Sequence, residues 1–326
     1  MSQPPSTSSL LTTLLLTAAA LIALAANSVL CRLALNIDGD APGIDAASFT
    51  LIRLTAGAMM LMLLLTLRDR RRRLNTQQNP PHAARSTRAS SSAPTSALPK
   101  PGSWLAAVYL FSYAIAFTYA YISLDTGIGA LILFGAVQLT MIIVTLVGGT
   151  RLSGSEWLGL GLAFSGFIYL VLPDLSTPSL LGFGLMTLAG MAWGGYTLKG
   201  RGSSDPLADT AFNFLRTLPL AAVLLLVGLY QGHMTSNGVI LAIASGALTS
   251  GIGYSIWYRV LADLSTTQAA AIQLLVPVIA TAGGVVFVAE PVSWRLVIAT
   301  LMILGGIALT ILGRYTQTHR AAPAQS

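Results

Sequence analysis

Two arginines stand inside otherwise apolar stretches, Arg53 in SFTLIRL and Arg216 in AFNFLRT. A guanidinium stays charged and offers five donors, so it can hold an anion, gate a path or tie down a neighbouring helix end. At the centre of a membrane helix an arginine costs ~2.5–3.5 kcal/mol on insertion scales. Each lies within about two and a half turns of its expected helix start, so the structural role open to it is to snorkel to the interface or to cap a neighbouring helix end. Amides form a second set. Asn27, Gln138 and Gln273 sit deep in apolar runs, where an unpaired amide is expensive. All three should face a bundle interior, bonded between helices or lining a polar cavity. Aromatic residues form a third set. Tyr109, Tyr113, Phe117 and Tyr121 repeat every four residues, and SGALTSGIGYSIWYRV sets Gly246, Ser250, Tyr254 and either Trp257 or Tyr258 on one helical face. Trp193 lies among Gly190, Gly194 and Gly195, where close helix approach is expected. Tyr113, Trp193, Tyr254 and Trp257 therefore join the three amides as candidate cavity-lining residues. Neutral donors and aromatic faces suit a neutral or zwitterionic solute with apolar or cationic parts. Pro277 and Pro219 interrupt helical patterns and are candidate hinges.

What is missing narrows the chemistry further. His82, His233 and His319 all fall in loops or tails, and Cys31 stands alone without metal-ligand spacing. No nucleophile elbow, zinc-protease or phosphate-loop motif occurs. No catalytic residue, metal or cofactor is expected, and no enzyme. Glu156, Asp209 and Glu290 are all near helix ends, so the alternately protonated intramembrane carboxylate of proton-coupled carriers is lacking. Exchange or downhill movement is the expected mode.

The elements that must position these groups are long apolar runs. Fifty-four per cent of the residues are hydrophobic and 9% charged, against ~25% charged in soluble domains. Runs near the ~20 residues that cross a bilayer recur, and breaks at Gly, Pro, Asp, Asn and Arg divide them into ten helices. The expected spans are 10–34, 44–67, 104–122, 127–147, 154–173, 180–199, 208–230, 237–261, 265–288 and 292–313. Residues 68–103, with five arginines at the start and Ser, Ala and Pro after them, read as a disordered linker.

The chain also repeats itself. Residues 104–172 shifted by 140 fall on 244–312 without a gap, and SFTLIR meets AFNFLR at an offset of 163. The repeats are 10–173 and 180–313, followed by a tail at 314–326. Five helices per copy is an odd number, so the second copy enters from the opposite side. The expected fold is all-α and polytopic, two inverted five-helix repeats with a site between them, as in secondary transporters. With both termini cytoplasmic, 14 basic residues lie inside, including Arg68 and Arg70–Arg73. The positive-inside rule selects that orientation and accounts for the net charge of +7 without nucleic acid.

Certain strings also resemble a known family. NSVLCR, FTLIR, TGIGALILFGAVQ, AWGGYTLKGR, FNFLR, LLVPVIATAGG and AEPVSWR are similar to the EamA family of the drug/metabolite transporter superfamily. The resemblance covers almost the whole chain apart from linker and tails. Glu290 matches the family's acidic turn; the equivalent position in the first copy is Thr150. The resemblance implies a carrier of small organic solutes in a bacterial-type inner membrane, an exporter working by alternating access. The partners expected are that solute and the lipid bilayer, with a homodimer left open. The alternatives are a lipid-handling flippase and a non-transporting membrane scaffold.

Overall fold

A computed structural model of the chain describes residues 7–35, 43–78, 101–149, 154–171, 178–200, 202–261 and 272–321. Among these residues the regular structure is entirely helical, in ten principal helices. The first seven are α1 (Thr7–Leu35), α2 (Ala46–Gln78), α3 (Trp104–Ala120), α4 (Thr126–Val147), α5 (Gly154–Val171), α6 (Leu180–Gly200) and α7 (Pro206–Gln231). Helix α8 has three consecutive parts, Ser236–Ala244, a π-helical stretch Ser245–Ile252, and Gly253–Leu261. Helix α9 runs from Leu275 to Gly283 and continues π-helically as Gly284–Val288. Helix α10 is Trp294–Ala321. Six of them are long and apolar enough to cross a membrane, and two shorter ones, Trp104–Ala120 and Leu275–Val288, are apolar.

Two boundaries differ from the sequence expectation. Helix α2 runs on to Gln78 instead of ending at Leu67, because arginine and leucine are good helix formers and the exposed Arg70–Arg73 need no burial. Residues 68–78 are thus helical, not disordered linker; residues 79–100 lie outside the described ones. Helix α10 likewise continues past residue 313. The first residues of the expected ninth helix, 265–271, also lie outside the described residues, and α9 proper opens at Leu275. Pro277 is therefore its third residue. The N–H groups of a first helical turn have no intrahelical acceptor, so proline there disrupts nothing. Pro219, in contrast, is inside α7.

Packing follows small residues, as it must where lipid is as apolar as leucine. Helix α5 lies along α10, α2 along α7, and α3 along α6; α1 meets α8 and α9, and α4 meets α6 and α9. Between α2 and α8, a Cβ on Gly246 would come within 2.2 Å of the Arg53 carbonyl oxygen. The backbones touch there, and the contact carries Arg53 into the bundle.

Candidate functional site

Four of the seven cavity candidates meet at the centre of the bundle. Asn27, Tyr113, Trp193 and Tyr254 wall a nearly closed cavity together with Leu24, Phe117, Leu133 and Phe134. It measures about 10 Å³, room for roughly one water. Asn27 donates from Nδ2 to the Tyr113 hydroxyl at 3.2 Å. Its Oδ1 accepts from Ser245 Oγ at 2.6 Å and from Thr249 Oγ1 at 3.2 Å. Both hydroxyls come from the π-helical part of α8, a departure from α geometry that is frequent at functional sites.

Aromatic rings complete the wall. Trp193 lies 4.8 Å from Tyr113, 5.0 Å from Tyr254 and 5.4 Å from Tyr196, centroid to centroid. Along α3 the stack continues from Tyr113 to Phe117 at 5.4 Å and on to Tyr121 at 4.8 Å. The four-residue spacing seen in the sequence thus builds a ladder from the centre towards one end of the bundle.

Arg53 and Arg216 occupy different environments. Arg53 is 2% exposed, so it does not reach an interface. It donates from Nη2 to the Tyr113 hydroxyl at 3.0 Å and from Nε to Ser250 Oγ at 3.5 Å. Its guanidinium carbon is 4.9 Å from the Phe117 ring centroid and 5.2 Å from that of Tyr113. Arg216 is half-buried, donates to the Pro101 carbonyl at 2.9 Å and rests on Phe212. Beside it, Gly102 N–H donates to Asp209 and Ser103 N–H to Asn213, so α7 holds the segment leading into α3.

Three candidates stand apart from the cavity lining. Gln138 is buried on α4, one turn from Phe134, and its Nε2 has no hydrogen-bond partner. Trp257 is buried on α8, and Gln273 is half-buried just before α9.

Sequence reasoning missed two polar closures at opposite ends of the bundle. At the first, Glu290 takes hydrogen bonds from Thr126 N–H at 2.8 Å, Thr126 Oγ1 at 3.0 Å and Arg32 Nε at 3.1 Å. Arg32 also donates to the Tyr121 carbonyl at 3.1 Å and lies 3.6 Å from Asp125. Glu290 thus caps α4, while the nominal cap Asp125 makes no such bond. The turn that aims it carries Ala289 at φ 59°, a left-handed conformation usual for glycine. Burial pushes the Glu290 carboxyl above the ordinary range, against the lowering effect of the Thr126 and Arg32 bonds. At the other end Arg68 grips Asp205 in a fork, at 2.6 and 2.8 Å. Those bonds hold the Asp205 carboxyl below its ordinary range. The first arginine of the basic block is therefore a tether onto α7. The signals available were the Glu290 turn and the Asp205-Pro206 helix start; the pairings cross 258 and 137 residues, beyond any local pattern.

Comparison with known proteins places this geometry. Residues 180–312 match the EamA-like transporter family model. An uncharacterised protein of Pseudomonas aeruginosa is 46% identical over 301 residues, 92% of this chain and 95% of that one. A probable amino-acid metabolite efflux pump of Salmonella typhimurium is 24% identical over 226 residues, 64% of this chain and 76% of its own. The Escherichia coli protein of the same description is 21% identical, over 62% of this chain and 72% of its own. One solved crystal structure shares the fold, at 17% identity and a TM-score of 0.56, covering 92% of this chain and 97% of that one. The chain belongs to the EamA-like transporter family of the drug/metabolite transporter superfamily and is a multi-pass membrane transporter, not an enzyme.

Proposed function

We propose that the protein is a secondary carrier that exports a small neutral or zwitterionic organic solute, amino-acid-like or drug-like, by alternating access between two inverted five-helix repeats. The observation that carries this reading is the closed aromatic and polar centre, walled by α1, α3 and α4 from one half and by α6 and α8 from the other. The helix contacts support the repeat. Exchanging each helix for the one five places away turns α3·α6 into α1·α8, α4·α6 into α1·α9 and α2·α8 into α3·α7, all of which are contacts. It leaves α5·α10, α2·α7 and α4·α9 as they are. Export is favoured by the efflux function in the names of the two remote relatives. The centre, with closures at both ends, is an occluded form. None of the residues walling it is a carboxylate, in keeping with exchange or downhill movement.

The alternatives fit less well. A flippase needs a polar path open to lipid, whereas the recess between α2 and α8, about 800 Å³, is lined by residues such as Leu51, Ile52, Met59 and Ile243, with Thr55 its one hydroxyl. A scaffold gains nothing from burying Arg53 and Asn27 together.

Reconstituted in liposomes preloaded with a metabolite library, the protein should exchange a defined subset of solutes, read by mass spectrometry. Trp193→Ala should cut that exchange at least about tenfold per folded molecule, the scale of one aromatic contact before its buried area is counted. Absence of exchange across the library would refute the carrier reading. Orientation is a separate test. Cysteines placed singly at Ser91 and Ser236 in a Cys31→Ala background should differ in intact cells, an impermeant thiol reagent reaching only the second. Labelling of the first alone would reverse the assignment of cytoplasmic termini in an inner membrane.

A further inference from the structure

We infer that Arg53 is the counter-ion of the transported solute, and that the solute carries a carboxylate. This deepens the carrier reading above and rests on it: it drops solutes without a carboxylate, keeps zwitterions and adds simple monocarboxylate anions.

Arg53 is wholly enclosed, and guanidinium does not lose its proton inside proteins. Arg32 pairs with Asp125 and Glu290, and Arg68 with Asp69 and Asp205, while no carboxylate among the described residues pairs with Arg53. Its bonded partners are two hydroxyls, Tyr113 and Ser250, and its Nη1 has no partner. A buried charge without a counter-charge is among the costliest arrangements in a protein, and in a membrane bundle it marks a functional site. The neighbouring Phe117 and Tyr113 rings offset part of that cost through their faces, but they do not neutralise it.

Position supplies the second step. Tyr113 and Phe117, the residues against which Arg53 lies, are themselves cavity walls. A solute that opens this centre therefore meets the guanidinium beside Trp193 and Tyr254. Asn27 Nδ2 already donates to the Tyr113 hydroxyl, which leaves Arg53 as the strong donor. Gln138, one turn beyond the cavity wall Phe134, holds another unpartnered buried donor. Two free donors and no nearby carboxylate select for an acceptor group of single negative charge. A phosphate monoester carries nearly twice that charge and would ask for a second cation. A planar carboxylate matches the guanidinium fork in charge and geometry. An apolar or aromatic body then rests on the ring faces. Amino acids and simple organic acids qualify, while amines and esters do not.

The test uses the full-length protein in lipid nanodiscs and reads binding by quenching of tryptophan fluorescence and by thermal shift. The probes are phenylalanine, 3-phenylpropanoate, phenylalanine methyl ester and phenethylamine, followed by the other amino acids with their methyl esters. The acids should bind and their esters and amines should not. Arg53→Gln should weaken acid binding at least about tenfold, the usual consequence of losing one partner of a buried charge pair. Arg53→Met should abolish binding and yet unfold at a higher temperature than the wild type without solute, because it removes an uncompensated charge. Esters binding as well as acids, or Arg53→Gln keeping full affinity, would overturn the assignment while leaving a carrier. An Arg53→Met protein that unfolds more easily would make Arg53 a structural anchor and overturn it as well. Silence from every probe, with no exchange in liposomes, would sink the carrier reading and this inference with it.

Discussion

Replacing Gly306 by Leu should abolish accumulation of folded protein in the membrane. Helices α5 and α10 meet backbone to backbone. A Cβ on Gly306 would stand 2.5 Å from the Gly159 carbonyl oxygen and 2.6 Å from the Ala163 nitrogen. The reverse also holds, since a Cβ on Gly159 would stand 2.5 Å from the Gly306 carbonyl oxygen. No side chain can swing aside, so the helices must separate. Overpacking a core with methylenes costs ~1–3 kcal/mol where side chains can shift, and more where backbone is struck. Lipid supplies no hydrophobic force to restore the contact. The neighbouring Gly305 is the control, because a Cβ there meets nothing within 4 Å. Gly305→Leu should accumulate like the wild type, measured by size exclusion of a fluorescent fusion. Equal accumulation of both variants would mean that α5 and α10 do not pack in this way.

Arg32→Ala should be the most damaging charge substitution, and Glu290→Gln should rescue it. The two side chains are 6% and 9% exposed. Removing one partner of a buried pair costs ~3–5 kcal/mol, largely because the other charge stays buried. Glu290 already takes a proton more readily than an exposed glutamate because it is buried. Loss of Arg32 removes a bond that lowers its pKa and pushes it further up. The sign follows from that. The folded state holds this proton more tightly than the unfolded chain does, so Glu290 works against stability once pH rises through its folded pKa. The defect of Arg32→Ala should be largest at neutral pH and shrink on acidification. The double variant Arg32→Ala/Glu290→Gln should show neither the defect nor its pH dependence. Thermal unfolding across pH reads both. A defect that the second substitution leaves unchanged would refute the pairing.

Helix number was legible because apolar runs end at residues that leave the membrane. Helix ends were less so wherever polar residues are also helix formers, as in the block that extends α2. Asn27, Tyr113, Trp193 and Tyr254 could be named because amides and large aromatics flanked by small residues have little choice but to face inwards. The burial of Arg53 could not be read from the sequence, for a physical reason. Distance to the helix end left snorkelling open, and nothing local reveals that Gly246 brings α8 against the Arg53 backbone. Nor does any sequence period announce a π-helical stretch. The serine and threonine that bond Asn27 read simply as small residues in a glycine-rich helix.

The π-helical stretch of α8 has a mechanical meaning. Its ladder joins each residue to the fifth along, so it stores chain that an α-helix of the same length would not contain. If one residue of that surplus were drawn out, everything beyond it would advance by ~1.5 Å and turn by ~100°. Ser245 would stay on Asn27, while Tyr254 would swing away from Trp193. A single-residue slip within Ser245–Ile252 would act as a cam, converting a small sliding of one helix into rotation of the Tyr254 ring out of the aromatic wall.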